Sequence, residues 1–332
     1  MKILAVVPFP PPVTGLTVAS AEAVRGLRKL PNAKVALLPF RGSAVKWLEL
    51  PRLVRWADVV YLVASAGHGV WRDLIVADAC ARSTRPLIVH VHSRNYAVRH
   101  ADDHLGRAMR RADALGVGLT VGHSQSLKAM FKSVAVVPNF AVTPVQSPYS
   151  KAEDPSTFNV LYLSNLMREK GYRALVEAVE TLYRGGARIH LDVAGAGKSA
   201  DLRWIRTKEG EAVEYHGFAD LSKQQRLFAR NQLFALPSFY TNETVPLTAL
   251  DAAVHGLAVA TTTTNYLSDV IDGVIELPTD PEGIATVLRQ LIENPFVIKD
   301  SAARAYSSAA RLHVASFHQA LQATVTGRCS GA

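Results

Sequence analysis

Cysteine is nearly absent: Cys80 and Cys329 are the only two in 332 residues. That excludes a disulfide framework and a cysteine zinc site, and a reducing, cytoplasmic setting is expected. No run of about 18 apolar residues occurs, so no helix is expected to cross a membrane. The apolar start, Ile3 to Val7, is broken at once by prolines and is too short for a secretory signal. Glycine and proline are not in excess, and charged residues make up 20% against 48% hydrophobic. Disordered, collagen-like and coiled-coil classes are thereby excluded. The length exceeds one comfortable core and suggests two domains.

Acidic residues are scarce in one half only. Residues 1–150 hold 19 Lys and Arg against 8 Asp and Glu, whereas 151–332 hold 18 against 20. The whole surplus of the +9 chain therefore lies in the first half. Arg25, Arg28, Lys29, Lys46, Arg52 and Arg55 form one group, and Arg107, Arg110 and Arg111 another. Such asymmetry points to an anionic partner: nucleic acid, an acidic lipid surface or a phosphorylated molecule. The arginines at 107–111 have no interleaved aromatics, which argues against nucleic acid.

The hydrophobic pattern alternates between strand and helix. In the first half, strands are expected at Ile3–Pro8, Lys34–Phe40, Asp58–Ala64, Pro86–Ser93 and Ala114–Val121, and the pattern breaks after Val134–Val137. Their near-continuous apolar character suits strands buried on both faces of a parallel sheet. Helices are expected near 17–30, 70–83, 103–112 and 124–132. Four prolines with polar residues between Pro138 and Pro155 read as a linker. A second series follows, with strands at Asn159–Leu163, Arg188–Ala194, Ala212–His216, Leu233–Pro237, Leu257–Thr261 and Val274–Leu277. Helices near 172–184, 220–230, 245–255 and 281–293, and a terminal one near 299–325, complete it. The expectation is α/β: two Rossmann-like, doubly wound domains facing a cleft. Their bounds are 1–145, a linker at 146–158, and 159–299, with a helix near 300–328 packing back on the first domain.

Two loops carry candidate chemistry. Gly195-Ala196-Gly197-Lys198-Ser199 hints at a phosphate loop, but Asp192 stands where such a loop needs its first glycine. As a dinucleotide loop it is a lone glycine pattern, so a tight strand-to-helix turn is the better reading. The stretch Pro237 to Ala260 is stronger. A buried strand ends in a polar loop with Glu243, and a helix opens near Val245-Pro246 with Asp251 two turns in. Backbone N–H groups at Thr244 and Val245 and the helix dipole suit a diphosphate.

Glu243, seven residues, Asp251, with Pro246 and His255-Gly256-Leu257-Ala258-Val259, resembles the signature of family-4 retaining glycosyltransferases of GT-B fold. Val160 to Tyr172, with Arg168, Lys170 and Gly171, is similar to the family's strand, Gly-Arg-Leu and Lys-Gly segment. Val137-Pro138-Asn139, Ala194 to Gly197 and Tyr215-His216-Gly217-Phe218 add weaker matches. Thr14-Gly15 and His90-Val91-His92 stand where the family has its glycine turn and active-site histidine. Asn165 replaces the family's diphosphate arginine, and Asp251 its second glutamate.

The resemblance implies a hexosyltransferase using a nucleotide-diphosphate sugar such as a UDP-sugar, with retention and no cofactor. The chain has no Asp-x-Asp pair, so no metal site is expected. Lys170, with Arg168 in support, would hold the diphosphate and Glu243 the sugar. Asp251 would hold the ribose, and Gly217 and Phe218 would lie beside the base. Gly15 and Asn165 would complete the donor site. His92 is the implied active-site histidine, although His90 shares its strand face. The acceptor would be a saccharide or a lipid-linked saccharide, as in polysaccharide or lipopolysaccharide assembly, with docking to the anionic inner membrane face. The same residues leave room for a GT-B-like epimerase, a phosphorylase or a degenerate nucleotide-sugar-binding protein.

Overall fold

The computed structural model describes residues 1–11, 13–40, 47–65, 67–144 and 157–330. The chain forms two compact units, Met1–Phe140 with Val314–Ala332, and Ala141–His313.

The first unit is built on a parallel sheet of six strands in the order β2-β1-β3-β4-β5-β6. They are β1 Lys2–Val7, β2 Lys34–Pro39, β3 Val59–Val63, β4 Leu87–His90, β5 Leu115–Gly118 and β6 Ser133–Val136. Ile3 to Val7 and all of β3 are buried, because helices cover both faces. Ile3 lies opposite both Val35 and Val59, so β1 is where the strand order reverses. Leu4, Val60, Leu62, Val89, Met109 and Phe131 belong to the core on one side.

The helix Gly15–Arg28 starts from a reciprocal cap between Thr14 and Thr17. Its buried face is wider than the sequence stripe, because the terminal helix Val314–Ser330 lies against it. There Gln322 Nε2 donates to the Gly26 carbonyl at 2.7 Å. The His318 ring fills the space a Cβ at Gly26 would need, approaching it to 2.5 Å.

The second sheet is also parallel, in the order β12-β11-β10-β7-β8-β9. Its strands are β7 Phe158–Leu163, β8 Ile189–Ala194, β9 Val213–Tyr215, β10 Leu233–Leu236, β11 Ala258–Thr261 and β12 Ile275–Glu276. The chain starts at β7, steps out through β8 and β9, then returns to β10 on the other side. The helices Tyr172–Arg184 and Pro281–Glu293 fall where the apolar spacing put them.

Four expectations need correction. The single terminal helix is two: Pro295–Ala309 belongs to the second unit and only Val314–Ser330 to the first. Strand β5 stops at Gly118, and Thr120 caps a helix at Val121–Leu127, three residues earlier than expected. Two short helices, Leu50–Trp56 and Tyr96–His100, were not foreseen. The start of the supposed linker is not solvated: Asn139, Phe140, Ala141 and Thr143 are buried, and Ala141 N–H donates to the Leu312 carbonyl at 2.7 Å. The remainder of that stretch, 145–156, lies outside the described residues.

Candidate functional site

In the second unit, β7 and β10 are neighbours whose chains leave in opposite directions, and their carboxyl ends form the switch point of the sheet. The loop after β7 runs from Ser164 to Gly171, and the loop after β10 from Pro237 to Pro246. They are pinned together. The Glu169 carbonyl accepts from Phe239 N–H at 2.9 Å and from Ser238 Oγ at 3.4 Å. Gly171 has φ +76°, and a Cβ there would lie 2.0 Å from the Pro237 carbonyl oxygen. Only glycine satisfies both demands at that position.

This clamp brings Lys170 and Glu243 into an ion pair although 73 residues separate them. Both side chains are mostly buried, each 12% exposed. Ser238 Oγ donates to the same carboxylate oxygen at 3.3 Å, and the Tyr240 ring lies 5.3 Å from Nζ. The following helix, Leu247–Val254, starts at Pro246 with no side-chain cap and no acid in its first turn. Its N-terminal N–H groups and dipole leave a positive end beside the pair. Thr244 and Val245 are buried just ahead of it, and the Thr244 carbonyl accepts from Tyr266 N–H at 2.9 Å.

Asn165 and Arg168 are exposed in the first of these loops. Leu166 N–H donates to Ala196 at 2.7 Å, which joins that loop to the turn after β8. The glycines of that turn serve close approach: a Cβ on Gly195 would sit 1.8 Å from the Ser164 carbonyl oxygen. A helix, Ser199–Arg206, follows as the tight-turn reading required. Gly195 N–H in turn donates to Gly217 at 2.8 Å, and the next residue, Phe218, is 60% exposed. Lys170, Glu243, Asn165, Arg168, Gly217 and Phe218 thus share the carboxyl end of one sheet.

Asp251 lies on the helix Leu247–Val254 that follows the second loop, and its side chain bonds to Thr143. Its side chain is buried, and Oδ1 accepts from the Thr143 N–H at 2.9 Å and the Thr143 hydroxyl at 2.8 Å. Burial pushes its carboxyl up to about 6 against these bonds. His255, stacked on Phe228, closes the cluster with Nδ1 2.7 Å from the Asp251 carbonyl oxygen. Both Thr143 bonds fall on the one oxygen, Oδ1.

His190, Asp192 and Glu214 also gather closely enough to suggest a cation. Arg230 fills that role instead, with Nε 2.6 Å from Asp192 and Nη2 2.9 Å from Glu214. Burial raises the Asp192 carboxyl, but bonds from His190, Arg230, Asn231 and His216 outweigh it and hold the group well below the usual range. The cluster is an internal ion network on β8 and β9. A groove of about 790 Å³ beside it, lined by Asn159, Tyr183, Arg188 and Glu211, lies at the amino end of the sheet. None of the expected site residues lines it.

In the first unit the structure separates the two strand-end histidines. His90 is fully buried with Nδ1 2.7 Å from the Tyr61 hydroxyl. His92 is partly exposed, its ring 4.4 Å from that of His90. Burial, with His123 nearby, lowers His92 to about 3, so its imidazole is neutral at physiological pH. Gly15 is exposed at the first turn of its helix. Sequence reasoning missed Asp73, fully buried beyond the carboxyl end of β3, which accepts from Ser65 N–H and Oγ, both at 2.8 Å, and from Tyr96 at 2.7 Å. It also missed Ser238 and Tyr240, although both lie inside the stretch singled out. Thr143 gave no local signal, being 108 residues from its partner.

Residues 157–294 match the family described as glycosyl transferases group 1. No curated protein sequence is matched. Among solved structures, HepE of Anabaena, in complex with UDP and glucose, is 16% identical with a TM-score of 0.74, over 98% of this chain and 99% of that one. A UDP-forming trehalose-phosphate synthase from Burkholderia xenovorans, in complex with glucose-6-phosphate, is 11% identical (TM-score 0.70, 98% and 100% covered). The sucrose-phosphate synthase of Thermosynechococcus elongatus is 12% identical with a TM-score of 0.72, and both chains are covered completely. The fold is the GT-B type: two parallel six-stranded sheets with flanking helices.

Proposed function

We propose that this chain is a retaining, metal-independent glycosyltransferase. It moves a hexose from a nucleoside-diphosphate donor on the second unit to a saccharide or lipid-linked acceptor. The observation that carries the reading is the convergence of Lys170 and Glu243 at the switch point, beside an uncapped helix N-terminus. It lies within the residues that match the group 1 glycosyltransferases.

Cleaving the bond between the sugar and the diphosphate builds negative charge on the leaving phosphate. Lys170, the N-terminal end of the helix Leu247–Val254 and the exposed Arg168 stabilise that charge without a metal. Glu243 contacts the sugar hydroxyls, and Phe218 offers an exposed ring to the base. His92, held neutral, donates or accepts one hydrogen bond on the acceptor side. The acceptor attacks from the leaving-group side, and the departing phosphate takes its proton. Asp251 takes no part in donor binding.

A membrane-borne acceptor is supported by one surface of the first unit. Leu48, Trp71 and Ile75 are 80%, 50% and 44% exposed, and Arg52 and Arg55 are exposed on the helix after Leu48. The Trp47 and Trp71 rings are 6.0 Å apart, with the Arg72 guanidinium 4.9 Å from Trp71. Aromatic groups beside cations suit the interface of an anionic bilayer, where each basic residue contributes about 1 kcal/mol. Lys46 lies outside the described residues.

Thermal shift against UDP, GDP, ADP and dTDP, with duplex DNA as control, tests the donor assignment. One diphosphate should stabilise the protein saturably, by about 2.7 kcal/mol at a hundred times its dissociation constant. Stabilisation by DNA alone, or by none of them, would overturn it.

A further inference from the structure

The two loops after β7 and β10, held together by the backbone, also pair one charge from each, Lys170 with Glu243. Lys170 carries three donors and no acceptor, and a glutamate carboxylate carries acceptors alone. Each is mostly covered, so each is the other's main counter-ion, with Ser238 Oγ as a third member. An arriving diphosphate must compete with Glu243 for the same ammonium. When it wins, the carboxylate is left mostly buried beside new negative charge. That position is relieved only by hydroxyl donors placed next to it.

Resting on the donor reading above, we propose that the Lys170–Glu243 pair is a counter-ion lock opened by the sugar nucleotide. The diphosphate takes Lys170, and the freed Glu243 accepts from hydroxyls of the sugar. A nucleoside diphosphate without its sugar opens the lock but leaves Glu243 without its counter-ion, with Ser238 Oγ as its remaining donor. The site therefore prefers the intact donor to the product, and loss of the sugar to the acceptor lets the pair re-form and helps to expel the diphosphate. The pinning of both loops by Gly171 and Glu169 means that side-chain rotation suffices.

The test is a double-mutant cycle read by titration calorimetry, using whichever of UDP, GDP, ADP and dTDP binds the wild type most tightly, and the matching sugar nucleotide. Glu243→Gln should tighten binding of the free diphosphate about tenfold, a partly buried pair being worth more than an exposed one. The same variant should not tighten binding of the sugar nucleotide. In a Lys170→Met background, Glu243→Gln should no longer tighten diphosphate binding; Lys170→Gln serves if the methionine variant does not fold.

Weaker diphosphate binding by Glu243→Gln would mean that Glu243 merely positions Lys170, and would overturn the lock. Equal tightening in both backgrounds would overturn it too, as simple repulsion between carboxylate and phosphate. Failure of the wild type to bind any of the four diphosphates would instead sink the donor reading, and the lock with it.

Discussion

Replacing Asp251 by asparagine separates charge from hydrogen-bond acceptance at one buried site. The amide keeps an oxygen where Thr143 donates from its N–H at 2.9 Å and its hydroxyl at 2.8 Å. It loses only the ability to ionise. Burial raises this carboxyl from 3.8 to about 6, which makes ionisation about 3 kcal/mol less favourable in the folded than in the unfolded chain. The folded state binds more protons, so stability falls as pH rises. The contribution is fully present below about pH 4 and is lost as pH passes through about 6. Asp251→Asn should match the wild type at pH 4 and exceed its stability by about 2 to 3 kcal/mol at pH 7.5. Asp251→Ala, which leaves two buried donors unpaired, should be less stable by about 1 to 3 kcal/mol at pH 4, and, having no carboxyl to ionise, should recover about 3 kcal/mol relative to the wild type at pH 7.5. Urea unfolding at the two pH values measures each difference, and Asp73, raised to about 6 by the same cause, cancels in the comparison. The donor KM of Asp251→Asn should stay within about twofold of wild type, since no uniform binding is lost. A stability difference independent of pH, or a donor KM raised at unchanged kcat, would refute the burial argument and restore the ribose role.

Gly171→Ala should lose more than about 2 kcal/mol in urea unfolding of the second unit, combining left-handed strain with the clash against Pro237; an unchanged midpoint would contradict the loop clamp. His92→Ala should slow transfer about tenfold to a hundredfold while leaving the rate profile between pH 5.5 and 8 unaltered; an inflection near 6.5 that vanishes in the variant would show the histidine titrating. The wild type should sediment with phosphatidylglycerol vesicles at low salt and be released as salt screens the attraction. Trp71→Ala should weaken that binding, and a protein that stays in solution has a soluble acceptor.

The alternation of elements was legible because parallel strands buried on both faces cannot hide among polar residues. Ile3–Val7 and Leu233–Leu236 are such runs. The helices at 172–184 and 281–293 were legible from apolar spacing, each burying one face. Short helices such as Tyr96–His100 were not, since five residues span barely more than one turn and leave little periodicity. The terminal segment read as one helix because its break at Ala310–His313 contains neither glycine nor proline. Of the candidate site, Lys170 and Glu243 were placed by their motifs, and the structure shows them paired. The commitment of Asp251 to Thr143 was hidden: a contact across 108 residues leaves no trace in local pattern.

Release of nucleoside diphosphate from a panel of UDP-, GDP-, ADP- and dTDP-sugars, with saccharide acceptors and with NMR assignment of the product anomer, tests the central claim most directly. One donor should be turned over by the wild type without added metal and with retention. Lys170→Met, folded as judged by circular dichroism, should lower that rate about 10² to 10³-fold. No turnover of any donor, an inverted product, or an unchanged rate in Lys170→Met would contradict the account.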